Sequence, residues 1–262
     1  MLRAFSTAAT GMTAQQLIVD TIANNLANIN TSGFKRSQVD FQDLMYLKMQ
    51  EAGRETASGV TAPSGFEIGS GVRPASTVRS FTEGELDNTG NWSDVAILGD
   101  GFFQVAVPGG QTRYSRDGAL HMNATGELCN SSGYLIEPAI TVPTDARNVS
   151  IGADGTVTAF IGASAAATSL GQIQIVKFAN PAGLSGEGGN LFAETPASGA
   201  AQAGIAGQNG FGSIQQNFLE RSNVQMVTEL VGLISAQRAY EINSRAIRAG
   251  DDMLSTTNQL IR

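Results

Sequence analysis

The residues able to do chemistry are few and scattered. Asp94, Asp100, Asp117 and Asp154 could supply a carboxylate pair of the glycosidase kind, one carboxyl donating a proton and the other acting as nucleophile or base. Three of the four precede glycine, which is where turn residues stand. His121 is the single histidine and Cys129 the single cysteine, so neither a histidine-rich nor a cysteine-based metal site can be assembled, and no disulfide can close within the chain. Both read as strand residues, His121 half-exposed. Gly99-Asp100-Gly101 lacks the third glycine of a dinucleotide fingerprint and opens a strand instead of a helix. The sequence holds no GxSxG and no phosphate loop, and Trp92, without basic neighbours, reads as packing. The expectation is a protein with no catalytic, cofactor-binding or metal residues. A carbohydrate-active β enzyme is the alternative, and it rests on the aspartates alone.

The elements that would position these residues fall into three parts. The chain has 262 residues and a net charge of −7, and all of that excess lies between residues 34 and 221. All seven prolines, from Pro63 to Pro196, lie in the same interior. An acidic chain lacks the basic footprint that nucleic acid requires, and no run approaches the ~18 apolar residues of a membrane span. No nucleic-acid partner and no membrane insertion are expected.

Both ends read as helices. Leu2, Phe5, Ala9, Met12, Gln16, Val19, Ala23 and Leu26 recur with alternating spacings of three and four, the pattern of a coiled-coil seam. Ile18, Ile22 and Ile29 form a second row, and Asn28 to Gly33 make a stop signal with Gly33 as the cap. At the other end Ser222 and Gln225 have capping-box spacing. Met226, Leu230, Leu233, Tyr240, Ile247 and Leu254 carry the seam onward, and Val227, Val231 and Ile234 lie beside it. Two apolar rows and little charge predict partners on several sides, so these helices are expected to pack against neighbouring subunits; an ordinary hairpin within one monomer is the competing arrangement. Polar Ser6, Thr7, Thr10 and Thr13 break the apolar core a secretory signal would need, so a retained helix is expected.

The middle reads as β. Strand-like runs are expected at Val95–Leu98, Phe102–Val107, Thr112–Ser115, Leu120–Met122, Tyr134–Ile136, Ile140–Val142, Val149–Ile151, Thr156–Ile161 and Ile173–Phe178. Asp117-Gly118 and Asp154-Gly155 are hairpin signals. Ser185–Gly212 reads as an exposed loop and linker, and Gly53–Ser64 as a connector of low hydrophobicity. The expected fold class is α+β: long N- and C-terminal coiled-coil-type helices forming an inner helical domain, and a mainly antiparallel all-β central domain. The boundaries expected are 1–33 with 222–262 for the helical part, 34–75 for an extended connector and 76–221 for the β-rich part.

Several ordered motifs then resemble those of one family. Ala23-Asn24-Asn25-Leu26-Ala27-Asn28, followed by Asn30-Thr-Ser-Gly33-Phe34-Lys-Arg36, resembles the N-terminal signature of bacterial flagellar rod and hook proteins. Gly101-Phe102-Phe103 and Tyr114-Ser-Arg-Asp-Gly118 resemble the start of their β domain, and Gln237-Arg238-Ala-Tyr-Glu241-Ile-Asn243-Ser244 their C-terminal helix. The chain is shorter than the usual hook subunit, which carries an additional outer domain, and longer than the small proximal rod subunits. Phe41–Pro63, leading into Ser64–Pro74, resembles the connector of the distal rod branch, where it is implicated in rigidity; carried over, this marks Tyr46, Gly53, Gly59 and Pro63. The resemblance implies a structural subunit in an open helical homopolymer, a hollow tube passing torque from the motor. It also implies contacts with proximal rod proteins, hook protein and outer bushing rings, delivery by the flagellar export apparatus without a cleaved signal, and a rod spanning the periplasm. Within the family a proximal rod subunit of similar size or a hook protein is the alternative, and outside it a coiled-coil adhesin of fixed oligomer size.

Overall fold

The computed structural model describes residues 2–57, 60–61, 63–162 and 166–260. These form two compact units. One gathers the N-terminal helix up to Leu26, Ser37–Val78 and the chain from Gln225 onward; the other holds Ala27–Arg36 and Arg79–Val224.

In the first unit, helix α1 (Leu2–Ala27) and helix α2 (Met226–Leu260) contain no proline, so their hydrogen-bond ladders run unbroken. The two run in opposite directions against each other. A Cβ on Gly250 would meet Phe5 at 2.7 Å, one on Gly11 would meet Asn243 at 2.9 Å, and one on Gly232 would meet Ile22 at 3.2 Å. Asn25 Nδ2 donates to Glu229 Oε2 at 3.3 Å. The helices therefore approach through small and polar residues, with Ala14 and Ala236 also buried.

Ser37–Arg79 holds three nested strand pairs. Strand β1 (Ser37–Asp43) pairs with β6 (Val72–Arg79), β2 (Leu47–Gln50) with β5 (Phe66–Ile68), and β3 (Glu55–Ala57) with β4 (Val60–Thr61). The last two pairs are antiparallel. The expected connector at Gly53–Ser64 thus contains paired strands, because main-chain pairing needs no apolar side chains.

The second unit begins with β7 (Leu86–Asn88), β8 (Val95–Leu98), β9 (Phe102–Val107), β10 (Gln111–Ser115), β11 (His121–Met122), β12 (Leu128–Cys129) and β13 (Leu135–Glu137). It continues through β14 (Ala146–Ile151), β15 (Thr156–Ile161), β16 (Ala167–Gln172), β17 (Gln174–Lys177), β18 (Ser185–Gly188), β19 (Leu191–Ala193), β20 (Gln202–Ile205), β21 (Ser213–Gln216) and β22 (Phe218–Glu220). The main sheet runs β11-β12-β13-β9-β10-β19-β18, with β17 bridging β9 and β20. Its strand pairs are antiparallel. Successive strand side chains point to opposite faces, so Phe103 enters one core with Val95, Ile97, Leu120 and Ile175. Phe102 enters the other, where its ring meets Phe81, Phe178 and Phe192 edge-on at 5.3–6.0 Å.

Several expectations are corrected. Helix α1 stops at Ala27, and Asn28–Phe34 form turns closed by Thr31 N–H to Asn28 O and Phe34 N–H to Thr31 O; Gly33 is no helix cap. Helix α2 starts at Met226, and Ser222 Oγ accepts from the Val224 N–H, so the Ser222–Gln225 capping box does not form. Ser185–Gly212 holds three strands and the buried Leu191, Phe192 and Ala206 instead of an exposed linker; its glycines turn the chain between short strands. Ile140–Val142 carries only a single bridge, Thr141 to Glu127, although Ile140 and Val142 are buried. His121 lies on β11 but is exposed.

Trp92 packs on the Phe103 core and is the chain's one tryptophan, so its fluorescence reports that core. Phe103→Ala is expected to lower the unfolding free energy of the β unit by about 3–5 kcal/mol. Leu98→Ala, on a half-exposed side chain, should cost well under about 1 kcal/mol. Urea titration followed by Trp92 emission measures both.

Candidate functional site: a buried clasp and open apolar faces

A buried ion cluster of the β unit is centred on Glu220, at the end of β22. Its carboxylate accepts from Lys35 Nζ at 2.6 Å, Arg116 Nε at 2.5 Å and the Gly84 N–H at 2.9 Å. Its main-chain carbonyl accepts from the Gly33 N–H at 2.8 Å. The Lys35 and Glu220 side chains are each 1% exposed. Lys35 Nζ also donates to Thr82 O, and the Arg116 guanidinium to the carbonyls of Ile97, Gly99 and Gly101. The charges are thus buried but matched by hydrogen bonds, which is the condition under which buried ions are tolerated.

Burial pushes the Glu220 carboxyl up, but the charges of Arg116 and Lys35 and their hydrogen bonds outweigh it, and the group is held below its ordinary 4.5. Burial also pulls the Lys35 ammonium below its ordinary value, against the opposing pull of Glu220. Gly33 sits at φ +66°, and a Cβ there would lie 2.7 Å from the Arg116 main chain, so the turn admits glycine alone.

Asn223 adds a second layer. Its Oδ1 accepts from the Arg36 N–H at 2.7 Å and its Nδ2 donates to Ser80 O at 2.9 Å, while the Ser80 N–H donates to Arg36 O. Residues 33–36, 80–84 and 220–223 are therefore stitched together where the chain passes into and out of the β unit.

The aspartates do local work. Asp94 accepts from the Thr89 hydroxyl and Asn91, Asp154 from Thr156, and Asp100 pairs with Lys177. Asp117 accepts from the Ala119 N–H and from Asn190, and burial raises its carboxyl above the ordinary value. Among the described residues no cluster of His, Cys, Asp and Glu could hold a metal.

The predicted packing residues divide between the helices. Phe5, Met12, Val19, Ile22 and Leu26 on α1 are half-buried or buried, and nothing is described of the Leu2 side chain. On α2, Leu233, Ile247 and Leu254 are half-buried, while Met226, Leu230, Ile234 and Tyr240 are exposed. Val227, Val231 and Ile242 stand 75%, 62% and 64% exposed. Among the signature residues, Asn25 is buried, Asn28 accepts from the Thr31 hydroxyl, and Asn24 is exposed. Gly33 and Phe34 belong to the clasp segment, and Gly101, Phe102 and Phe103 to the double core. Gln237 and Glu241 line an open groove with Gln16, Val19 and Tyr240; Arg238 is exposed and Asn243 half-buried. In the segment marked for rigidity Tyr46, Gly53 and Pro63 are exposed, and Gly59 lies outside the described residues. Sequence reasoning missed Glu220, Asn223 and the pairing role of Lys35 and Arg116; the last two stood inside quoted motifs, which was the only signal.

Long helices with open apolar faces, a buried structural clasp and aspartates engaged in turns, an ion pair and main-chain contacts are the features of a structural subunit. Three family models match in chain order: a flagella basal body rod protein model over 5–35, the flagellar hook protein FlgE/F/G D1 domain over 96–159, and the flagellar basal body rod FlgEFG protein C-terminal region over 215–260. The flagellar basal-body rod protein FlgG of Borreliella burgdorferi is 46% identical over 264 residues, covering all of both chains. FlgG of Agrobacterium fabrum is 46% identical over 262 residues and FlgG of Bacillus subtilis 36% over 269, again covering all of both chains. The chain belongs to the flagellar basal-body rod protein family, whose members are structural subunits and not enzymes. Among the described residues no helix is long and apolar enough to cross a membrane.

Glu220→Gln leaves two buried cations without their carboxylate and is expected to cost the β unit about 3–5 kcal/mol at neutral pH. Because the folded carboxyl titrates below 4.5, its stabilisation is complete above that value and is lost as pH falls through the folded pKa. Urea titrations of both proteins from pH 7 downward should therefore show the wild-type advantage shrinking below about pH 4.5.

Proposed function

We propose that this chain is the subunit of the flagellar distal rod, polymerising into a straight, rigid, hollow helical tube that carries motor torque to the hook and encloses the export channel. Residues 1–33 and 222–262 act as the polymerisation domain, their helices pairing with those of further copies in coiled-coil fashion, and 76–221 form the outer domain. Head-to-tail contacts that do not close on themselves propagate such a filament. The observation that carries this reading is the exposure of Val227, Val231 and Ile242 along α2 in a chain matching rod proteins from end to end. A monomer gains nothing from large apolar side chains in water; a second copy covering them gains about 2 kcal/mol for each.

The connector 34–75 stiffens the polymer. It exposes Met45, Tyr46, Leu47, Met49, Phe66 and Ile68, and a two-stranded ribbon of this kind is marginal unless something packs on it. Neighbouring copies supply that packing, which supports a rigidity role for Tyr46–Pro63. Proximal rod proteins, hook protein and the outer bushing rings are the heterologous partners of a rod standing in the periplasm, delivered unfolded by the flagellar export apparatus without a cleaved signal.

Val231→Glu and Ile242→Glu test the reading. Both side chains are exposed, so the monomer should keep its helical circular dichroism and lose no more than about 0.5 kcal/mol. Sedimentation and electron microscopy of concentrated protein should show tubes for wild type and none for either variant. Tubes formed equally well by both variants would contradict it.

A further inference from the structure

Two of the places where the ribbon of the first unit meets α1 carry specific hydrogen bonds. At one, the buried Asn25 side chain treats Ser37 as a strand partner. Its Nδ2 donates to Ser37 O at 2.8 Å and its Oδ1 accepts from the Ser37 N–H at 2.9 Å. Asn25 is 1% exposed and also reaches Glu229 on α2, so one amide joins α1, α2 and the first residue of β1. At the other, the Val72 N–H donates to Thr10 Oγ1 at 3.4 Å, and Gly71 lies so close to Thr10 that a Cβ would overlap its hydroxyl. Gly71 is also held at φ +112°.

The spacing of the two contacts is matched. From Asn25 back to Thr10 a helix travels about 22 Å. From Ser37 to Leu44, whose N–H is held by Gly71 O, an extended strand travels about 23 Å. The stem of the ribbon therefore lies along α1 with one attachment at each end. Beyond the second attachment stand the exposed Met45, Tyr46, Leu47 and Met49.

We infer that Asn25, with the Thr10–Gly71 contact as the second anchor, is a positioning residue that lays the 37–79 ribbon along α1 and so sets where its apolar tip is presented to the next copy. The mechanical consequence rests on the polymer reading above; the anchoring itself does not. An asparagine suits the position because its amide offers one donor face and one acceptor, the complement of a main-chain N–H and C=O pair. Any apolar replacement leaves both Ser37 groups without these partners.

The test uses the full chain and three proteins: wild type, Asn25→Leu and Gly71→Ala. Leucine shares asparagine's branch at Cγ and its number of side-chain heavy atoms and is a better helix former, so helical circular dichroism should be unchanged in Asn25→Leu. Hydrogen exchange read by mass spectrometry should show amides of Ser37–Asp43 and Val72–Val78 exchanging about tenfold faster or more in both variants. Amides of Phe102–Val107 should exchange as in wild type. Tubes, where they form, should lose straightness in both. Unchanged ribbon protection in Asn25→Leu overturns the inference. So does loss of helical signal in that variant, because Asn25 would then be holding the helix pair and not the ribbon. If wild type forms no tubes at all, the polymer reading falls while ribbon exchange still decides the anchoring.

Discussion

A single carboxylate sets the terms for the β unit. Glu220 must meet Lys35 and Arg116 in a buried place, and those residues come from the two ends and the middle of the unit. Lys35 and Glu220 lie 185 residues apart in sequence. Neither cation is tolerable there without the carboxylate, and the carboxylate is intolerable without them. The three segments must therefore arrive together, and Asn223 then stitches their main chains into one neck. The arrangement ties the points where the chain enters and leaves the β unit. A load applied to the chain on either side of this unit meets a closed hydrogen-bonded bundle, not a single covalent strand.

The helix pair is built on a contrasting principle. Its own seam uses Gly11, Gly232, Gly250, Ala14 and Ala236, with Asn25 and Glu229 as buried polar contacts. Small residues let two helices approach closely but bury little apolar area, so Val227, Leu230, Val231, Ile234 and Ile242 of α2 remain outward. That inversion costs an isolated monomer stability and suits a part finished by assembly. The ribbon repeats the logic, with paired main chains inside and exposed methionine and aromatic side chains outside.

Much of this was legible in the sequence, and the failures have physical causes. Proline-free apolar periodicity marked both helices, and strand-like runs marked β9, β10, β11, β13 and β17 of the main sheet. Of the two Asp-Gly hairpin signals, Asp154-Gly155 joins the paired β14 and β15, whereas Asp117-Gly118 links β10 to β11, which pair with other strands. Gly101-Phe102-Phe103 was visible as a motif, but only the sheet shows that alternation sends one ring into each core. The periodicity singled out large residues such as Leu230 and Tyr240 for packing. The contact α1 and α2 make within the chain sets the predicted Phe5 and Ile22 of α1 against Gly250 and Gly232 of α2, with Ala14, Ala236 and Asn25 buried as well, and a hydrophobic pattern ranks those small and polar residues low. Ser185–Gly212 read as a linker because its strands are short and glycine-bounded, and edge strands need little apolar character. Nothing near Glu220 announces a clasp, since its partners lie over a hundred residues away.

In the proposed polymer the apolar side chains left open on α2 are covered by other copies of the chain. An image reconstruction of tubes grown from purified protein, at a resolution that places side chains, tests it most directly. Val227, Val231 and Ile242 should be buried against helices of neighbouring copies, with the Lys35–Glu220–Arg116 clasp unchanged in each subunit. Tubes in which those three side chains face solvent, held together through the β units alone, would contradict it.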